Sequence, residues 1–173
     1  MTDMIKDWLK SNSTTDQRAL KWFENPESEP RIVKAYKELL SGYEIKPELL
    51  LKVTRPVPPN EITGTVVIKN INFYSICAHH FLPFFGTVDI TYRPGKYILG
   101  LGKFPRLVSA YARRFQIQED LVKDIAEEIM SSGHARAVKV FSSARHLCMC
   151  SRGPSDHTVT TDTQYLIGSF EDE

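Results

Sequence analysis

The sequence predicts an α+β protein: a helical head, then four strands with two helices between the strand pairs. Three observations carry this. Apolar residues recur at helical spacing before residue 43 and again between Lys103 and Gly133. Segments 64–74 and 87–92 are rich in β-branched and aromatic residues, and the second alternates polar with apolar, the period of a strand buried on one face. The proline-dense break Pro56-Val-Pro-Pro59 separates the two regions. The expected division is 1–60, a helical extension, and 61–173, a single structural unit carrying an antiparallel four-stranded sheet.

Each element has its own signal. Ser13-Thr-Thr-Asp16 offers N-caps for a short helix reaching Phe23. Pro30 suits the first turn of a second helix in which Ile32, Val33, Tyr36, Leu39 and Leu40 recur, with Gly42 as its stop. Strands are expected over Gly64–Tyr74 and Thr87–Tyr92, the latter closed by the Pro94-Gly95 turn. From Lys103, a stripe of Phe104, Leu107, Val108, Tyr111, Ala112 and Phe115 marks a helix that tolerates Pro105 in its first turn. A further helix runs from about Glu119 to Gly133, with Leu121, Val122, Ile125, Ile129 and Met130 as its stripe. A third strand starts at Val138 and runs towards Cys148, and Thr158 to Phe170 reads as a fourth.

Composition narrows the class. The chain has 173 residues, 42% hydrophobic and 25% charged, enough for one domain with its own core. A formal net charge of +1 argues against a nucleic-acid protein working by bulk charge. No apolar run approaches the ~20 residues of a membrane helix, and the N-terminus lacks a signal-peptide pattern. Three cysteines are an odd number and do not make a disulfide framework. The cytoplasm is the expected compartment.

The chemistry concentrates in two segments, Cys77-Ala-His-His80 and His146-Leu-Cys148-Met-Cys150. They hold all three cysteines and three of the five histidines. Cys77 and His80 are spaced to share one ion, and Cys148 would reach it from a distant strand. Three protein ligands leave a fourth position open, the pattern of a catalytic rather than a structural zinc site. If the strand continued through Cys150, then His146, Cys148 and Cys150 would share one face, and Arg152 after them. The plain alternative is that Cys77 and Cys148 are small buried hydrophobes. His79 and His146 are candidates for proton transfer near neutral pH, or else are packed histidines. Lys103 and Arg106 open a helix, where phosphate is favoured. Arg113 and Arg114 near its end are ordinary dipole partners, and Glu119 on its own reads as a helix N-terminal charge.

Cys77-Ala-His-His-Phe-Leu-Pro-Phe-Phe-Gly86 resembles the Cys-Glu-His-His-…-Pro-Phe-x-Gly signature of the GTP cyclohydrolase I family. The likeness continues through Leu99–Arg106, Tyr111–Arg114, Gln116–Leu121 and His146–Gly153, and in the head through Pro30–Val33 and Leu40–Tyr43. It implies the tunnelling fold, with subunits assembled into rings and two rings stacked as a homo-oligomer, usually a decamer, with active sites at interfaces. It implies zinc on Cys77, His80 and Cys148, and GTP as substrate, with water adding at C8 of the guanine. His79 and His146 would move protons, Gln118 and Glu119 would hold the guanine edge, and Lys103, Arg106 and Arg152 would hold the triphosphate. Formate would leave, and re-closure would give 7,8-dihydroneopterin triphosphate for folate, pterin or 7-deazaguanine pathways. Neither nucleic acid nor membrane is an expected partner.

The chain departs from the family pattern at Ala78, where the signature has Glu, and at Gly102, where a serine usually precedes the phosphate-site lysine. Cys150 is an additional thiol. Two rival expectations follow. One is an enzyme that opens or deformylates GTP, or a modified guanine nucleotide, without efficient re-closure. The other is a non-catalytic nucleotide-binding protein of the same fold.

Overall fold

The computed structural model describes residues 7, 8, 10–12 and 14–171. It divides into two compact units, Met1–Glu38 and Leu39–Glu173. The boundary therefore falls at residue 38 rather than near 60, and the second unit includes residues 39–60.

In the first unit, α1 spans Gln17–Lys21 and begins at Asp16, whose carboxylate accepts the Arg18 N–H at 2.7 Å. Of the cap candidates, Ser13 lies outside the described residues. Helix α2, Ser28–Leu39, reaches the boundary and buries none of its residues.

The second unit opens with two short 3-10 turns, Ser41–Glu44 and Pro47–Leu49. It continues with strands β1 (Val53–Pro56), β2 (Val66–Cys77), β3 (Pro83–Arg93) and β4 (Tyr97–Leu99). Helix α3 (Lys103–Ala112), strand β5 (Phe115–Gln116) and helix α4 (Gln118–Ser131) follow, then β6 (Ala137–His146) and β7 (Thr161–Gly168). Residues 39–60 belong here because they are built onto it. The Gly42 N–H donates to the Arg113 carbonyl at 3.0 Å, and β1 pairs antiparallel with β4. A Cβ on Gly42 would sit 2.2 Å from the Ala110 carbonyl oxygen, so this glycine serves a close approach rather than a helix stop.

The main sheet has five strands in the order β5-β2-β3-β6-β7. The four long strands are antiparallel, as expected; β5 is a fifth, parallel to β2. Two residues are too few to show a period, and so it escaped the sequence reading. The expected strand ending at Tyr74 runs on to Cys77, after a bulge between Ile68 and Ile71 where Asn70 takes a φ of 59°.

Alternate residues of each strand face α3 and α4. Phe73, Phe84, Val88, Ile90, Tyr92, Val138 and Val140 pack there against Phe104, Leu107, Val108, Leu121, Ile125 and Ile129. Gly86 lies in this face, and a Cβ on it would come within 1.9 Å of the Ser143 carbonyl oxygen on β6. Gly86→Ala must force β3 and β6 apart, and overpacking of this kind costs about 3 kcal/mol. The expected result is a matching fall in the urea midpoint with unchanged m-value; an unchanged midpoint would show that the strands separate freely.

Candidate active site and metal centre

Several chain ends meet at one end of the sheet. There β2 stops at Cys77, β3 starts at Pro83, β6 stops at His146 and β7 starts at Thr161. The short strand β5 brings α4 to the same place, since Gln116 pairs with Cys77 and its carbonyl accepts the Ala78 N–H at 3.1 Å. Residues 78–82 link β2 to β3 and expose His79 and His80. That turn is closed by the Phe81 N–H on the Cys77 carbonyl, with Phe81 at a φ of 59° and its ring 4.8 Å from that of Phe115. A bulky residue in the left-handed region is a strained choice, and here the strain shapes the turn that carries both histidines.

The cavity at this end has a volume of about 230 Å³. It is lined by Cys77, His79, His80, Ile117, Gln118, Glu119, His146, Cys148, Met149 and Thr161. Seven of the ten expected site residues thus lie around one cavity. Lys103, Arg106 and Arg152 are not among its lining residues, although Arg152 is close enough to Cys148 to favour its thiolate. A larger cavity of about 710 Å³ near Glu61, Arg93 and Arg136 carries no thiol and no imidazole.

Among the described residues, Cys77, His146 and Cys148 form a group whose ligand atoms all lie within 4.8 Å of one another. The structure thus gathers His146 with the two thiols, while His80 lines the cavity outside that group. Cys77 is buried. Burial pushes the Cys148 thiol above its ordinary pKa, and the neighbouring Cys77 thiol pushes it further. A divalent cation reverses the penalty by drawing off both protons, so the donor set fits zinc.

Cys150 stands apart. The chain leaves the sheet at His146 and turns helically over Leu147–Cys150, so the strand expected to run towards Cys148 stops two residues short of it and does not continue through Cys150. Residues two apart in a helical turn point in nearly opposite directions. Cys150 is accordingly absent from the thiol–imidazole group and from the cavity lining, and Arg152 does not share a strand face with Cys148.

His146 is held from two sides. Its ring stacks on Phe84, the residue opposite it in β3, with centroids 4.6 Å apart and planes 4° from parallel. Its Nε2 lies 2.8 Å from Oε1 of Gln118. Burial lowers its pKa from the ordinary histidine value, partly opposed by Glu119, which favours the neutral ring. Gln118 departs from expectation. It is only 1% exposed and its amide is occupied by protein partners, so its side chain is not free to hold a guanine edge. Phe84, Ile117, Met149 and Thr161 were not singled out in the sequence. For Phe84 the signal lies in the β3–β6 register, which no local pattern shows.

The departures from the family pattern also have places. Ala78 lines a second cavity with Arg114, Asp120 and Asp124. Gly102 sits at the N-cap of α3 without a side-chain cap, and a Cβ there would meet nothing within 4 Å.

Fold and site together define the class: an α+β enzyme with a metal-competent centre of two thiols and an imidazole at the end of a sheet. The structure is similar to that of an apo archaeosine synthase QueF-Like protein, with a TM-score of 0.51, covering 62% of this chain and 96% of that one. At 20% identity this likeness speaks for the fold alone, which is that of the tunnelling-fold proteins. The profile of the GTP cyclohydrolase I family matches residues 3–173, and the chain belongs to that family. It is 43% identical over 153 residues to GTP cyclohydrolase 1 of Campylobacter lari, covering 85% of this chain and 80% of that protein. To the Porphyromonas gingivalis protein of the same name it is 39% identical, covering 82% and 72%. The Leptospira biflexa protein is likewise 39% identical, with 82% and 76% covered.

Proposed function

We propose that this protein is a GTP cyclohydrolase I, which hydrolyses the guanine of GTP at C8, releases formate and re-closes the product to 7,8-dihydroneopterin triphosphate. The observation that carries the reading is the convergence of Cys77, Cys148 and His146, with His79, His80 and Glu119, on one cavity. A purely binding module has no use for paired thiols beside neutral-pH proton carriers.

Cys77, His80 and Cys148 are the proposed zinc ligands. His80 stands on the exposed turn three residues beyond Cys77 and borders the same cavity, which supports this assignment. The grouping of His146 with the thiols supports a second assignment, in which His146 is the third ligand. When bound, zinc supplies Lewis acidity and makes hydroxide accessible near neutral pH.

The remaining roles fall to the chain's own side chains. Glu119 is exposed at the N-terminus of α4 and borders the cavity, where one carboxylate accepts both the N1–H and the exocyclic amino N–H of guanine. His146, held neutral by burial, accepts a proton, and His79 on the opposite turn is the second carrier. Lys103, Arg106 and Arg152 bind the triphosphate. A cavity of about 230 Å³ is smaller than the ~300–1,000 Å³ of a complete ligand pocket. It suits a purine rather than a whole nucleoside triphosphate, which supports a site completed by a neighbouring subunit in a ring, with the decamer as the assembly. No described helix is long and apolar enough to cross a membrane, and the cytoplasm is the proposed compartment.

The test follows formate and pterin fluorescence separately after zinc-loaded protein is mixed with GTP. Equal yields of the two are expected. Formate without fluorescence would establish the ring-opening variant, the reading favoured by Ala78 and Gly102. Binding of GTP with neither product would establish the non-catalytic one.

A further inference from the structure

Gln118 occupies a site built for an amide in one orientation. Its side-chain nitrogen lies 2.9 Å from the Thr161 carbonyl oxygen and 3.2 Å from both the carbonyl oxygen and Oγ of Ser142. Two of these partners are main-chain carbonyls, which only accept. Turning the amide over would take the donor away from both carbonyls and set Oε1 against them, an acceptor facing acceptors. The amide hydrogens therefore face β6 and β7, and Oε1 faces His146.

Oε1 is an acceptor only, so the His146 Nε2 at 2.8 Å must carry a hydrogen. In the neutral ring the lone pair then resides on Nδ1. The stack on Phe84 independently fixes the ring plane, so both the orientation of the imidazole and the place of its proton are set from outside the reacting region. We propose that Gln118 is a positioning residue that locks His146 in the Nε2–H tautomer and makes Nδ1 its single working atom. An imidazole without such a partner exchanges between tautomers and offers the wrong nitrogen part of the time. This role rests on the reading that His146 serves the centre, and it is the same whether Nδ1 carries a proton or ligates the metal. It also accounts for a fully buried glutamine at the edge of a substrate cavity.

The tautomer is measurable without metal or substrate. Zinc-free protein labelled with ¹⁵N-histidine is examined by multiple-bond ¹H–¹⁵N correlation at a pH where the ring is neutral, with His146 assigned by the signals lost in His146→Gln. The expected wild-type pattern is a protonated Nε2 and an unprotonated Nδ1; a protonated Nδ1 overturns the proposal without recourse to any variant. In Gln118→Met, which keeps length and apolar packing but removes the acceptor, the two nitrogen signals should move towards an average. In the zinc-loaded form of that variant kcat should fall at least about tenfold with KM for GTP changed less than roughly twofold. Unaltered ring signals in Gln118→Met would overturn the proposal. A wild-type protein with the Nε2–H pattern but no turnover of GTP would sink the functional reading and leave the tautomer assignment standing.

Discussion

Cys148→Ala protein is expected to purify with less than roughly a tenth of an equivalent of zinc and to release no measurable formate from GTP. Tight zinc binding in a three-ligand site depends on every ligand, and this substitution removes one of the two thiolates that dominate the donor set. No other thiol stands ready to replace it. Cys150 is on the far side of the helical turn Leu147–Cys150, and Cys77 is already engaged in the same group. Cys150→Ala should accordingly keep both metal and activity. Metal analysis together with a formate assay checks the pair. Full zinc in Cys148→Ala would move the ligand to Cys150 and require the turn to unwind. The folded state of the variant is checked by its circular dichroism, since Cys148 only borders the main core and its loss leaves the buried strands intact.

The second large effect separates the two imidazoles. His80→Ala should lose zinc, whereas His146→Ala should keep zinc and lose about 10²–10⁴-fold in kcat, the usual span for a positioned proton carrier. The reverse result, zinc lost with His146 and retained without His80, would make Cys77, His146 and Cys148 the ligand set, as their grouping within 4.8 Å allows. Both assignments predict a large loss of turnover in both variants, so activity alone cannot distinguish them. Zinc content does. His80 lies on an exposed turn and His146 is pinned between Phe84 and Gln118, so each substitution removes a different kind of restraint. His146→Ala also empties the face of Phe84 and leaves Oε1 of Gln118 without its donor, and a modest fall in thermal stability should accompany its kinetic effect.

Long elements with a clear period were legible. The four long strands and the helices at Lys103 and Gln118 were all expected within a few residues. Short elements were not, because β1, β4 and β5 hold four, three and two residues and gain their stability from partners distant in sequence. Pro56 made β1 harder to see; it reads as a break, yet proline is tolerated on an edge strand. The expected head–body boundary failed for a related reason. A run of prolines marks stiffness locally, but the contacts of Gly42 and β1 decide which unit residues 39–60 join.

At the site, residue types and spacing determined the chemistry by themselves. Thiols and imidazoles three residues apart, with a second set far along the chain, limit the choice to metal binding or inert burial, and the order of motifs named the family. Tertiary structure decided the arrangement. Strand register set His146 on Phe84, and the departure of the chain from β6 separated Cys148 from Cys150. The parallel pairing of β5 with β2 brought Gln118 and Glu119 beside Cys77. Gln118 shows the division most clearly. Its identity was visible from the start, but its partners are two carbonyls and a ring on other strands. Hydrogen-bond direction depends on what each acceptor faces, and only the folded chain supplies that.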